Sequence, residues 1–135
     1  MVTVNLYTID WKSWQSIAIA LATRSIYTHS AIQVGSKIFE ASGHTDSVGW
    51  VDAEKYAGRE CKRIELDVSR ETAAIILAKY EGKRYDYRAI RLWPFSIQSK
   101  NKIYCFELCW LFMKQAGLLD HDKPDKITAH SLLER

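Results

Sequence analysis

The stretch from Thr28 to Ala41 restricts the fold more than any other. Thr28-His29-Ser30-Ala31-Ile32-Gln33-Val34 and Lys37-Ile38-Phe39-Glu40-Ala41 are two short runs of strand-forming character on either side of Gly35-Ser36. Such a pair predicts a β-hairpin, with glycine first in a type II′ turn. If Gly35 and Ser36 are the two loop residues, Val34 faces Lys37 and Ala31 faces Glu40. His29, Ala31 and Gln33 then share a sheet face with Ile38 and Glu40, because side chains alternate. His29 and Glu40 become diagonal neighbours, their Cβ atoms roughly 7 Å apart. A three-residue loop would send Glu40 to the other face, so the pairing depends on a tight turn.

A second stretch, late in the chain, complements the first. The polar turn Ser99-Lys100-Asn101-Lys102 runs into Ile103-Tyr104-Cys105-Phe106-Glu107-Leu108-Cys109-Trp110-Leu111-Phe112, an apolar helical pattern that Gly117 closes. Cys105 falls where this helix begins. Unpaired N–H groups and the positive end of the helix dipole favour an anion there, which is one way a chain prepares a sulfur nucleophile.

The rest of the chain reads as one α+β domain over residues 1–135, a small antiparallel sheet packed against helices. Val2, Val4 and Leu6 alternate as a strand, and Trp11, Trp14, Ile17, Ala18 and Leu21 recur at helical spacing after Asp10. That stripe predicts core packing, with the two tryptophans also placed to wall a groove. Trp50-Val51 predicts a brief strand, Asp52 to Tyr56 a helical turn, and Cys61 to Asp67 a strand. Ser69 caps a helix over Arg70 to Tyr80 that ends before Gly82, and a short helix follows near Ala129 to Glu134. Lys83 to Arg88 reads as a basic, aromatic loop.

Composition sets outer bounds. With 47% apolar and 26% charged residues among 135, the chain is long enough for one sizeable core and unlike disordered sequence. A net charge of +3, with both signs interspersed, demands no nucleic-acid partner. Three cysteines without scaffold spacing argue against a disulfide framework. Cys105 and Cys109, at i and i+4, match zinc spacing weakly, so neither metal nor cofactor is expected. No apolar run reaches the roughly 18 residues of a membrane span, and Met1 to Tyr7 lacks the pattern of a secretion signal. Synthesis in the cytoplasm is the expectation; a lysis-associated or phage-borne role would account for action elsewhere.

Each reactive residue also has an ordinary reading. Cys105 can be a small buried hydrophobe, His29 a histidine bonded to a backbone carbonyl, Glu40 a solvated strand carboxylate. Jointly they supply a nucleophile, a base for its proton and a group to hold the base, so catalysis balances the ordinary readings. Cys109, one turn further on, is placed to point into the core, and Cys61 to pack on its strand. His44, His121 and His130 fall where solvated histidine is the default, with His44 near enough to the hairpin to stand in reserve.

Thr28 to Gly35, Ile38 to Ala41 and Tyr104-Cys105-Phe106-Glu107-Leu108 resemble the three motif blocks of circularly permuted papain-like enzymes. These form the YiiX-type branch of the NlpC peptidase superfamily, which is related to the lecithin retinol acyltransferase-like proteins. The histidine strand precedes the cysteine helix here, as in that branch, and Gly82-Lys83-Arg84-Tyr85-Asp86 resembles its Gly-x-x-Tyr-Asp segment. The resemblance implies His29 as base, Glu40 as third polar residue and Cys105 as nucleophile. Two departures stand out. Phe106 replaces the usual serine after the cysteine, and Glu40 replaces the second histidine of the acyltransferase-like members, which favours the hydrolase side. Glu107 is expected to cap or to offset the dipole.

The implied chemistry is acyl transfer through a thioester, on a peptide or another acyl-bearing substrate. The Cys105 backbone N–H would hold the oxyanion with one further donor, for which Gln33, Tyr104 and Tyr7 are candidates. Phe106 leaves its own N–H in place. An amide of a peptide or cell-wall peptide is the leading substrate. A lipid or thioester acyl group on the same residues is the alternative, and a catalytically silent binding module, with Phe106 a mark of drift, is the rival from another class.

Overall fold

The computed structural model describes residues 2–10, 12, 14–23, 26–42, 47–85, 102–119, 127 and 132–133. Five strands form one antiparallel sheet: β1 (Val2–Thr8), β2 (Tyr27–Val34), β3 (Lys37–Ser42), β4 (Ser47–Asp52) and β5 (Cys61–Leu66), in the order β4-β3-β2-β1-β5. Helix α1 (Trp14–Thr23) joins β1 to β2, α2 (Arg70–Leu77) follows β5, and α3 (Cys105–Gln115) lies late in the chain. The architecture is α+β, as the sequence pattern predicts.

The hairpin turn is tight. Val34 pairs with Lys37, Gln33 with Ile38 and Ile32 with Phe39, and Gly35 takes a φ of 63°, where a side chain would be strained. The ladder stops at Ile32 and Phe39, so His29 and Glu40 lie beyond the last locked pair. On its other edge β2 carries an irregularity. Tyr7 pairs with His29 but Thr8 with Tyr27, which leaves Thr28 as an extra residue beside the histidine. Bulges of this kind re-aim neighbouring side chains.

Alternation along β1 divides the sheet into two unlike faces. Val2, Val4 and Leu6 join Ile32, Phe39, Ile64 and Leu66 beneath Leu108, Phe112 and Met113 of α3, with Ala73 and Leu77 of α2 alongside. The opposite face carries Thr3, Asn5 and Tyr7 and a smaller cluster of Tyr7, Ala31 and Ile38, covered by Val51, Ala53 and Tyr56. Ala53–Tyr56 is a 3-10 turn following β4, in the place the sequence predicts a helical turn.

Three local expectations change. Within the apolar stripe of α1 Leu21 is 75% exposed, while Ser16 and Ile19, off that stripe, are buried. The cause is polar. Ser16 Oγ lies 2.5 Å from Thr28 Oγ1 and accepts from the Asp10 N–H at 2.8 Å, and this latch fixes the rotation of the helix. Within the expected basic loop, Arg84–Tyr85 forms β6, paired in parallel with β7 (Lys102–Ile103) just ahead of α3. Helix α2 ends at Leu77, three residues early, although Ser69 caps it as expected by accepting from the Thr72 N–H. Trp11, His44, Asp86, the polar turn over 99–101, His121 and His130 lie outside the described residues, as does most of the expected final helix; Leu132 and Leu133 are helical.

Candidate active site

Cys105 is the first residue of α3, and Tyr104 before it has extended backbone angles. The first intrahelical bond runs from the Leu108 N–H to the Tyr104 carbonyl at 3.0 Å, so the N–H groups of Cys105 and Phe106 lie ahead of it. Because α3 packs on β2 and β3, its start arrives at the unlocked end of the hairpin. There the Cys105 sulfur is near enough to the His29 ring to raise the pKa of the imidazole.

The other side of that ring meets Glu40. His29 Nε2 is 2.9 Å from Glu40 Oε1 and 3.1 Å from the Tyr56 hydroxyl, which itself donates to the same Oε1. With Nε2 so engaged, Nδ1 is the ring nitrogen left for the sulfur. Glu40 is only 2% exposed, and its second oxygen takes a 2.5 Å ion pair from Lys55 Nζ. Three donors thus surround one buried carboxylate.

These contacts decide the charges. Burial alone would raise the Glu40 carboxyl, but the His29 hydrogen bond and charge, then the Lys55 and Tyr56 hydrogen bonds, outweigh it and bring the pKa down to about 2. Burial likewise opposes charge on His29, yet the adjacent Cys105 sulfur and the Glu40 carboxylate together push the imidazole up to about 9. Tyr56 is raised by burial and by the Glu40 charge, which keeps its proton in place as a donor.

Tyr7, directly across from His29 on β1, is walled in by aromatic contacts. Its ring stacks on Tyr56 at 4.4 Å between centroids and on His29 at 5.9 Å, with the Arg59 guanidinium 5.6 Å from the Tyr7 and Tyr56 rings. Its hydroxyl accepts from Asn5 Nδ2 at 3.1 Å. Tyr7 therefore forms a side of the site.

The remaining oxyanion candidates are placed elsewhere. Gln33 sits four residues along β2 from His29, about 13 Å at strand rise. Its amide accepts from Asn5 at 2.8 Å and donates to the Gly35 carbonyl at 2.9 Å. Tyr104 gives its hydroxyl proton to the Ile127 carbonyl at 2.8 Å and accepts from the Ile127 N–H. Phe106 is buried in the main core, so its side chain packs while its N–H stays at the helix start. Cys109 is fully buried near Ser30, its thiol pushed up by desolvation, and Cys61 packs beside Tyr7. Glu107 is buried in the first turn; burial raises the Tyr80 hydroxyl, and the Glu107 charge adds to that rise.

Lys55, Tyr56 and Asn5 have no counterpart among the residues singled out from the sequence. The 3-10 turn was visible, but its docking over His29 depends on how β4, β1 and β5 meet.

The fold is an α+β domain in which a cysteine at a helix start meets a histidine and a glutamate from one hairpin. Among solved structures it is similar to metalloprotein yiiX from Escherichia coli O157:H7, with a TM-score of 0.65 and 23% identity over 84% of this chain and 64% of that one. The likeness is one of fold, and the chain spans less than two thirds of that protein's length. No protein-family model and no curated protein matches the sequence. Among the described residues no group of three or more His, Cys, Asp or Glu is placed to hold a metal ion, and no helix is long and apolar enough to cross a membrane.

Proposed function

We propose that the chain is a cysteine hydrolase of the permuted papain-like type that cleaves an amide bond, in a peptide or cell-wall peptide, through a thioester. The observation that carries this reading is a single imidazole, bonded through Nε2 to a buried carboxylate and within electrostatic reach of the Cys105 sulfur at the start of α3.

Each group has a role that its surroundings support. With the Cys105 thiol proton already transferred to His29, the sulfur attacks the carbonyl carbon, forming the S–C bond and a tetrahedral oxyanion. The N–H groups of Cys105 and Phe106, ahead of the first intrahelical bond, receive that oxyanion. The oxyanion collapses, the C–N bond breaks, and His29 passes its proton to the departing amine. Water, deprotonated by His29, then attacks the thioester; the S–C bond breaks, and the carboxylic product leaves as Cys105 regains a proton. Glu40 holds the ring orientation and stabilises the imidazolium throughout, while Lys55 and Tyr56 hold Glu40.

The test is turnover of a panel of peptide amides, cell-wall peptides and acyl esters by wild type, Cys105→Ala and His29→Ala, with circular dichroism to confirm folding. Amide cleavage that both substitutions abolish supports the proposal. A Cys105→Ala protein as active as wild type refutes it. Ester cleavage without amide cleavage moves the same residues to an acyl-lipid substrate, and no turnover of any substrate leaves a binding module.

A further inference from the structure

On the same sheet face as His29, at the far end of β1 and β2, lies an open cavity of about 630 Å³. Sites of roughly 300–1,000 Å³ suit small ligands. Its floor is a row across three strands, Gln33 beside Thr3 beside Glu65. The row is held rigid from below: Thr3 donates to Asn5 Oδ1 at 2.8 Å, and Asn5 donates to Gln33 Oε1 at 2.8 Å. Arg63 of β5 and Arg70 at the start of α2 complete the walls with the Gly35-Ser36 turn.

Two features mark the cavity as more than a surface hollow. Arg70 lies against the bare backbone of Gly35, where a Cβ would come within 3.2 Å of Nη1. The turn that sets the hairpin register thus also seats a guanidinium. Second, the side chains of Arg63, Glu65 and Arg70 make no hydrogen bond or ion pair with any described residue, although all three line one cavity. Two cations and one anion are held apart around open space, leaving the lining with a net single positive charge.

We propose that this cavity binds an amino-acid or short-peptide ligand, its carboxylate on Arg63 and Arg70 and its ammonium on Glu65. Guanidinium forks match carboxylates in geometry as well as charge. Glu65 disfavours a doubly charged phosphate and gives an ammonium on the same molecule a partner. The site is separate from Cys105, and its occupancy does not require the hydrolase reading.

The test uses the full-length Cys105→Ala chain in calorimetric titrations with triglycine, triglycine amide, N-acetyl-triglycine and inorganic phosphate. Saturable triglycine binding is expected, with about a tenfold loss for the amide and for Arg63→Gln or Arg70→Gln, the size of one lost charge-assisted contact. Glu65→Gln should erase the advantage of triglycine over its N-acetyl form. The variants should keep the wild-type unfolding temperature, since all three side chains are exposed. No saturable triglycine binding, equal binding of the amide, indifference to both arginine substitutions, or phosphate binding as tight as triglycine would each overturn the assignment.

Discussion

Lys55 Nζ lies 2.5 Å from Glu40 Oε2, the oxygen that His29 leaves unused. The carboxylate is therefore gripped from both ends. Lys55→Met should leave a buried charge short of one partner, with a stability loss of about 1–3 kcal/mol by urea unfolding at neutral pH. The loss should shrink in acid, where Glu40 becomes neutral. An unchanged unfolding midpoint would mean that the ion pair contributes nothing.

Stability should follow a defined pH window. His29 is raised from 6.5 to about 9, so its contribution is complete below 6.5 and fades as pH climbs through 9. Glu40 is lowered from 4.5 to about 2, so its contribution is complete above 4.5 and fades as pH falls through 2. Both are whole between about 4.5 and 6.5, where unfolding free energy should peak. A maximum at pH 8 or above would contradict the assigned charges.

The histidine titration itself can be divided between its neighbours. Because the neighbouring Cys105 helps raise His29, Cys105→Ser should lower its NMR titration midpoint, and Glu40→Gln should lower it further by removing the second source. If the chain turns over an amide, Glu40→Gln should also slow it by roughly 10²–10⁴-fold, as loss of the orienting group does in other triads. A midpoint unmoved by either substitution would separate His29 from both.

Thiol chemistry offers an independent reading. On the proposed function, iodoacetamide at pH 6 should modify Cys105, although it is nearly buried, ahead of the more exposed Cys61 and far ahead of Cys109, whose thiol is held protonated by burial. Peptide mapping by mass spectrometry gives the order. Cys61 reacting first would argue against an activated sulfur at the start of α3.

Phe106 is packed within the main core. Phe106→Ala should cost about 3–5 kcal/mol in unfolding free energy, the usual range for a buried phenyl ring. A near-neutral result would mean that the ring contributes little to the core.

How far the sequence revealed this arrangement depended on the range of the interaction. Gly35-Ser36 between alternating runs was enough to set the register that brings His29 beside Glu40, because turn length and alternation are local. Apolar period and Gly117 likewise located α3, and Gly117 does take a φ of 79° at its end. Rotation of α1 was not legible, since hydropathy treats Ser16 as a solvent residue and does not foresee Thr28 as its partner. The two-residue ladder of β6 and β7 is too short to leave a period. Gln33 and Tyr104 looked available as donors because their commitments, to Asn5 and to Ile127, join distant parts of the chain. Lys55 and Tyr56 were hidden for the same reason: their value to Glu40 arises from docking, which no spacing encodes.

The two-sided commitment of β1 has an evolutionary corollary. From Val2 to Tyr7 every side chain is buried, alternately in hydrocarbon and in the polar seam that links Thr3, Asn5 and Tyr7. Neighbouring β5 turns Lys62, Arg63 and Glu65 outward. Random mutagenesis should therefore find almost no permitted replacements in the first strand and many in the fifth, leaving selection for new specificities to work at the rim of the sheet.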